Sequence, residues 1–187
     1  MKIRLARELQ SDSIVDGEGI RTVLWTQGCI HNCLGCHNPD THSFNAGFLK
    51  DVEEIKNELL DLKLQDGITL SGGDPMCQVE ACLEIAKFCK SIKLNVWCYT
   101  GYTFEQLLAK SKENPNIIEL LKNIDVLVDG KFVLEEKSLN LKFKGSKNQR
   151  IIDVKKTLKN NKVHLVNKYK TEKKYINTPE QCKYMFV

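Results

Sequence analysis

The chain has 187 residues, of which 42% are apolar and 28% charged, and its formal net charge is +4. A chain of this length and composition can bury one hydrophobic core and is typical of a single globular domain. Residues 1–7 contain no apolar signal core, and no run approaches the ~20 apolar residues of a membrane span, so we expect a cytoplasmic protein with its eight cysteines reduced.

Strand and helix patterns alternate along most of the chain. Apolar, β-branched runs predict strands, whereas apolar residues recurring every three or four positions predict helices. In chain order the predicted elements are strand 20–26, helix 52–62, strand 68–70, helix 75–90, strand 94–99, helices 104–108 and 117–121, and strand 124–128. Residues 150–154 and 163–167 are further candidates for edge strands.

This alternation predicts an α/β fold, in which helices cover a mainly parallel sheet. A closed eightfold barrel needs ~250 residues, so an open sheet or a partial barrel is expected. Ligands of such sheets bind outside the carboxyl ends of the strands. Four candidate loops follow predicted strands and should meet at that rim: the segment after residue 26, Gly72-Gly73-Asp74, Tyr99-Thr100-Gly101 and Asp129-Gly130-Lys131.

The loop after the first predicted strand contains three cysteines within eight residues, Cys29, Cys33 and Cys36. Thiolates are the usual ligands of iron-sulfur clusters, and a 4Fe-4S cubane held by only three of them keeps one iron open. A zinc site with His31 or His37 as the fourth ligand, and a redox pair formed by Cys33 and Cys36, are the alternatives that the triplet by itself leaves open.

The spacing CxxxCxxC resembles that of the radical S-adenosylmethionine enzymes, and the surrounding residues are similar to their glycyl-radical activating branch. Within that branch the chain resembles the activating proteins of anaerobic ribonucleoside-triphosphate reductases over residues 12–154. The segments that carry the resemblance are 17–22, 28–39, Ser71-Gly72-Gly73-Asp74-Pro75, Tyr99-Thr100-Gly101-Tyr102, 125–132 and 145–153.

The resemblance implies a partial β/α barrel with a 4Fe-4S cluster on Cys29, Cys33 and Cys36 and S-adenosylmethionine on the fourth iron. Gly72, Gly73 and Asp74 then correspond to the family loop that holds the methionine amino group, with Asp74 in place of a glutamate. The expected contacts to the rest of that cofactor come from Gly35, His37 and Thr100, with Tyr99 and Gly101 near the ribose. Gly35 stands where many of these enzymes have an aromatic residue.

The resemblance also implies the reaction and the partners. Reductive cleavage of S-adenosylmethionine yields a 5′-deoxyadenosyl radical, which removes hydrogen from a glycine of the large subunit of the reductase, and a flavodoxin or ferredoxin delivers the electron. Activation of another glycyl-radical enzyme such as pyruvate formate-lyase, and a small-molecule radical reaction, are the rival enzymatic interpretations. An electron carrier and a zinc-stabilised interaction module are the rivals outside the enzymes.

The remaining features are interpreted structurally. Cys82, Cys89 and Cys98 fall on apolar positions and should be buried. Asp129 and Lys131 are candidates for an ion pair or for orienting a ligand, and Arg21 for a structural salt bridge or a substrate contact.

Two regions of the chain are distinguished. Residues 1–154 form the enzyme domain, and residues 155–187 form a lysine-rich extension packed on that domain or trailing from it. Residues 151–187 hold nine lysines and no arginine. Without a regular basic motif, nucleic-acid binding is not expected from them.

Overall fold

We describe residues 1–169 of a computed structural model of the chain. The strands are β1 (Lys2–Leu5), β2 (Gln10–Ser13), β3 (Arg21–Thr26), β4 (Phe48–Asp51), β5 (Gly67–Gly72), β6 (Asn95–Tyr99), β7 (Val126–Asp129) and β8 (Arg150–Asp153). The helices are α1 (Val52–Leu60), α2 (Val79–Ser91), α3 (Phe104–Lys110), α4 (Asn116–Lys122) and α5 (Val154–Asn160). Short 3-10 helices lie at Pro39–Thr41, Pro75–Cys77, Leu134–Glu136 and Asn167–Tyr169.

All eight strands belong to one open, mixed sheet with the order β4-β1-β3-β5-β6-β7-β8, and β2 also pairs with β3. The central strands β3, β5, β6 and β7 run parallel to one another, as the alternating pattern predicts, and are neighbours in chain order. The flanking strands pair antiparallel on both sides. The sequence therefore predicted the parallel centre of the sheet, whereas β1, β2 and β4 are additions that it did not predict.

Two predicted elements differ in detail. The helix expected over residues 75–90 is a 3-10 turn followed by α2, because Gln78 between them has a non-helical backbone. The edge strand expected at 163–167 is only a single bridge between Leu165 and Ile152, whereas the edge strand expected at 150–154 is β8, which pairs antiparallel with β7. No helix within residues 1–169 meets the length and apolarity that a membrane crossing demands.

The two faces of the sheet are covered differently. On one face, α1, α2 and α4 pack over the main core, and β6 contributes Val96 and Cys98 to it. On the other face, Trp97 of β6 joins a small aromatic group with Phe143 and Tyr169. Because successive side chains along a strand point to opposite faces of the sheet, β6 contributes residues to both the main core and the aromatic group.

Candidate active site

A cavity of about 340 Å³ lies at the carboxyl ends of the parallel strands. Its lining includes eight of the residues expected at the site: Cys29, Cys33, Cys36, His37, Gly72, Gly73, Asp74 and Thr100. Gly35 is not in the lining, and a Cβ at that position would lie 2.9 Å from the side chain of Leu134. The rim of the sheet therefore brings together the loops that follow β3, β5, β6 and β7, as expected.

The cysteine loop follows β3 and is anchored at its start. Gly28 N–H donates to the carbonyl oxygen of Thr41 at 2.8 Å, and Cys29 N–H donates to that of His42 at 3.1 Å. The three thiols that follow are free and half-buried. Backbone N–H groups already point at two of the sulfur atoms, His31 N at Cys29 Sγ (3.5 Å) and Asn38 N at Cys36 Sγ (3.4 Å).

This donor set fits an iron-sulfur cluster. Three free thiols in one loop face the cavity, and N–H groups directed at cysteine sulfur are one of the means by which proteins adjust such clusters. Burial raises the pKa of the Cys29 thiol, so metal binding there must displace a proton. Among residues 1–169, no three His, Cys, Asp or Glu side chains are gathered as for a single metal ion.

The two glycines at the carboxyl end of β5 are required by close packing. Gly72 has a φ of +100°, and a Cβ there would lie 2.4 Å from the carbonyl oxygen of Thr26. A Cβ on Gly73 would lie 2.3 Å from the carbonyl oxygen of Gly28, at the start of the cysteine loop. Any larger residue would push this turn away from β3, so the glycines keep the two loops in contact.

Asp74 is buried, with an exposure of 1%. Its Oδ1 accepts the N–H of Met76 at 2.9 Å and so caps the 3-10 turn. Its Oδ2 lies 2.7 Å from Nε2 of His31 and accepts from the hydroxyl of Thr100 and the N–H of Gly101, both at 3.0 Å. The contact of this carboxylate with a ligand ammonium stays a prediction; within the protein its partners are Met76, His31, Thr100 and Gly101.

His31 is the site residue that the sequence reasoning missed, since it was considered only as a zinc ligand. Its side chain is 5% exposed, bonds Asp74, and meets the ring of Tyr102 edge-on at 4.6 Å between centroids. His37, which was singled out instead, packs against Phe132 at 4.9 Å and is exposed. The position of His31 between Cys29 and Cys33 could have drawn attention to it. Its partner Asp74 comes from a distant loop, which the sequence does not reveal.

The segment Asn148-Gln149-Arg150 holds the loop after β7. The amide of Asn148 donates to the carbonyl of Lys131 at 2.8 Å, and that of Gln149 donates to the carbonyl of Gly130 at 3.0 Å. Arg150 pairs with Asp129 and, through two bonds of 3.0 and 2.7 Å, with Glu105. The suggested ion pair between Asp129 and Lys131 is therefore wrong, because Arg150 occupies the carboxylate of Asp129.

Arg21 lies away from the cavity and has a structural role. Its guanidinium is buried and donates to the hydroxyl of Thr69 and to the carbonyl oxygens of Glu18 and Asn95. Burial lowers its pKa to about 10. The expected structural role is correct, but hydrogen bonds take the place of the expected salt bridge.

Three of the other cysteines stand apart from the triplet. Cys82, Cys89 and Cys98 are fully buried in the main core, as predicted. Cys77 is half-buried and does not line the cavity, but it lies beside the cysteine loop, where the backbone N–H of Ile30 is directed at its sulfur. Cys182 lies outside the described residues.

The chain is similar to known proteins over most of its length. A family model described as a 4Fe-4S single cluster domain matches residues 15–152. The anaerobic ribonucleoside-triphosphate reductase-activating protein of Haemophilus influenzae is 38% identical over 144 residues, which cover 73% of this chain and 89% of that protein. Proteins of the same name from Escherichia coli K12 (39% over 145 residues, 73% and 90% covered) and from phage T4 (36% over 147 residues, 73% and 86% covered) are also similar.

Proposed function

The chain belongs to the family of anaerobic ribonucleoside-triphosphate reductase-activating proteins, and we propose that it activates such a reductase by radical chemistry at the cavity of the cysteine loop. In this proposal Cys29, Cys33 and Cys36 hold a 4Fe-4S cluster, and S-adenosylmethionine binds next to it. The observation that carries the proposal is the position of three free thiols in one loop, facing a cavity bounded by glycine turns.

The bound cofactors would supply the difficult chemistry: reductive cleavage of S-adenosylmethionine to a 5′-deoxyadenosyl radical, which takes a hydrogen atom from a glycine of the reductase. The chain supplies the ligands and the orientation. The thiolates bind the cluster, and the N–H groups of His31 and Asn38 donate to two of their sulfur atoms. Gly72 and Gly73 let a ligand approach the backbone closely, and Thr100 lies beside them on the next strand end.

Three finer parts of the proposal concern the cofactor contacts and the architecture. His37 and Gly35 lie at the exposed side of the cysteine loop, where contacts to the adenosyl part are proposed. We also propose that the open sheet is the partial β/α barrel of this enzyme class, formed by residues 1–154. Residues 155–187 are then an extension, whose described part begins within α5.

The proposed partners follow from the family. The protein substrate is the large subunit of an anaerobic ribonucleoside-triphosphate reductase, and the electron donor is a flavodoxin or ferredoxin. A protein substrate requires an accessible site, and the cysteine loop that lines the cavity carries exposed residues, among them His37.

The test is anaerobic reconstitution of the chain with iron and sulfide. We expect about four irons per chain, formation of 5′-deoxyadenosine from S-adenosylmethionine under reducing conditions, and a glycyl-radical signal by electron paramagnetic resonance once the reductase is added. Each of the variants Cys29→Ala, Cys33→Ala and Cys36→Ala should lose cluster and signal.

The matched control is Cys89→Ala, which removes a buried thiol of α2 outside the cavity. This variant should keep both the cluster and the glycyl-radical signal. Retention of iron and turnover by the three loop variants would refute the proposal. Formation of 5′-deoxyadenosine without a glycyl radical on the reductase would instead assign the chain another substrate.

A further inference from the structure

We propose that His31 and Asp74 are positioning residues, whose pairing holds the cysteine loop at a set distance from the loops after β5 and β6. The inference deepens the proposed function and rests on it, because that distance separates the cluster from bound S-adenosylmethionine. Under this proposal Asp74 is not a ligand of the methionine ammonium group, although it occupies the position where the sequence suggests such a contact.

The carboxylate of Asp74 is buried and engaged by protein donors on both oxygens. An ionised carboxylate offers about four lone-pair sites. Four protein donors already contact them: Oδ2 faces Nε2 of His31, the hydroxyl of Thr100 and the N–H of Gly101, and Oδ1 accepts the N–H of Met76, at distances from 2.7 to 3.0 Å. With 1% of the residue exposed, a ligand could reach it only by displacing one of these donors.

The ring of His31 is held on three sides. Nε2 contacts Asp74, the ring of Tyr102 meets it edge-on, and Gly101 lies so close that a Cβ there would be 2.3 Å from the ring. The absence of a side chain at Gly101 is thus what makes room for the imidazole. Such a fit is expected where the orientation of a side chain matters.

Because of its position in the chain, His31 connects the cysteine loop to other loops of the site through its contact with Asp74. It lies between Cys29 and Cys33, and it joins the cysteine loop to the loop after β6 through Asp74. Asp74 in turn is attached to the start of the cysteine loop through its N–H, which donates to the carbonyl of Gly28 at 2.8 Å. The pair therefore links three strand ends, and its loss would let the cysteines move relative to the glycine turn.

The test compares His31→Ala, His31→Gln, Asp74→Asn and the double variant His31→Ala/Asp74→Asn in the reconstituted protein. Binding of S-adenosylmethionine is measured by anaerobic equilibrium dialysis, and the change it causes in the electron paramagnetic resonance spectrum of the reduced cluster is recorded. His164→Ala is the matched control, since His164 bonds Asn160 and does not line the cavity.

We expect His31→Ala and Asp74→Asn each to weaken binding about 10- to 100-fold, the usual effect of losing a residue that orients metal ligands, and to reduce the spectral change. His31→Gln should recover part of the affinity, because its side-chain amide can still donate to Asp74. The double variant should bind S-adenosylmethionine as tightly as the single variant with the larger loss of affinity, because both changes break the same contact.

The inference would be overturned if His31→Ala bound S-adenosylmethionine with wild-type affinity. It would also be overturned if the loss of affinity in the double variant equalled the product of the two single losses. A loss confined to Asp74→Asn would overturn it as well, because that result would make Asp74 a direct ligand. If His31→Ala fails to retain iron, His31→Gln and His31→Asn decide: only the longer amide should restore binding, and equal binding by both overturns the inference. A wild-type protein that forms no 5′-deoxyadenosine refutes the proposed function itself, whatever the variants do.

Discussion

At the scale of single residues, the site depends on places where no side chain fits. Gly67 and Gly73 share one feature, namely that a Cβ would collide with a backbone carbonyl oxygen of a neighbouring segment. The collisions are with Asn95 at 2.1 Å and with Gly28 at 2.3 Å, respectively. Gly73 lies in the lining of the cavity and Gly67 at the opposite end of β5. Variants at the two positions therefore distinguish an effect on the stability of the fold from an effect on ligand binding.

We predict that Gly73→Ala and Gly67→Ala each lower the free energy of unfolding by about 1–3 kcal/mol, since overpacking forces the backbone apart. Only Gly73→Ala should also weaken binding of S-adenosylmethionine, by about tenfold or more, because it displaces the cysteine loop. Urea unfolding and equilibrium dialysis measure the two effects. Equal effects of both variants on binding would show that the turn at Gly73 does not position the ligand.

At the scale of elements, an ion-pair network joins β7, β8 and α3. Asp129 is 1% exposed, caps the start of α3 through Phe104 N–H at 2.7 Å, and pairs with Arg150. Arg150 also lowers the pKa of Glu105 from 4.5 to about 2. One guanidinium thus ties the edge strand to the helix that follows β6, next to the loop that borders the cavity.

We predict that Arg150→Met destabilises the fold by about 3 kcal/mol, because it leaves the carboxylate of Asp129 buried without its cation. The matched control Lys122→Met removes a cation from an exposed pair with Glu119 and should cost less than about 1 kcal/mol. Chemical denaturation of both variants measures the difference. The double variant Asp129→Asn/Arg150→Met should be more stable than Arg150→Met, and the opposite order would contradict this account.

At the scale of the whole molecule, the fold sorts the cysteines into two environments. Those of the loop after β3 are half-buried beside the cavity, whereas Cys82, Cys89 and Cys98 lie in the core between sheet and helices. Burial raises the pKa of Cys89 to about 12, and that of Cys77 to about 11. Because the thiolate is the reactive form, the protein should be chemically selective among its own thiols.

We predict that iodoacetamide at pH 8 modifies Cys29, Cys33 and Cys36 first in the cluster-free chain, with Cys182 replaced by serine. Cys82, Cys89 and Cys98 should react only after the addition of denaturant. Peptide mass spectrometry after timed alkylation measures the order. Modification of the core cysteines at the rate of the loop cysteines would contradict the described packing.

The sequence by itself determined the parallel centre of the sheet and the loops that meet at its rim. Apolar runs and helical spacing are local signals, and the strands β3, β5, β6 and β7 show them because each consists mostly of buried residues. The flanking strands β2 and β4 consist mostly of exposed or half-exposed residues, so they carry no such signal and depend on the strands they pair with.

Only the tertiary structure decided which side chains meet at the rim. The cysteine triplet could be found from spacing because its members lie in one loop, but the partner of His31 lies 43 positions further along the chain and that of Asp129 lies 21 positions away. Hydrogen-bond partners at such separations are set by how β3, β5, β6, β7 and β8 are placed next to one another. A motif specifies the chemistry that its residues can perform, and packing decides which of them remain available to a ligand.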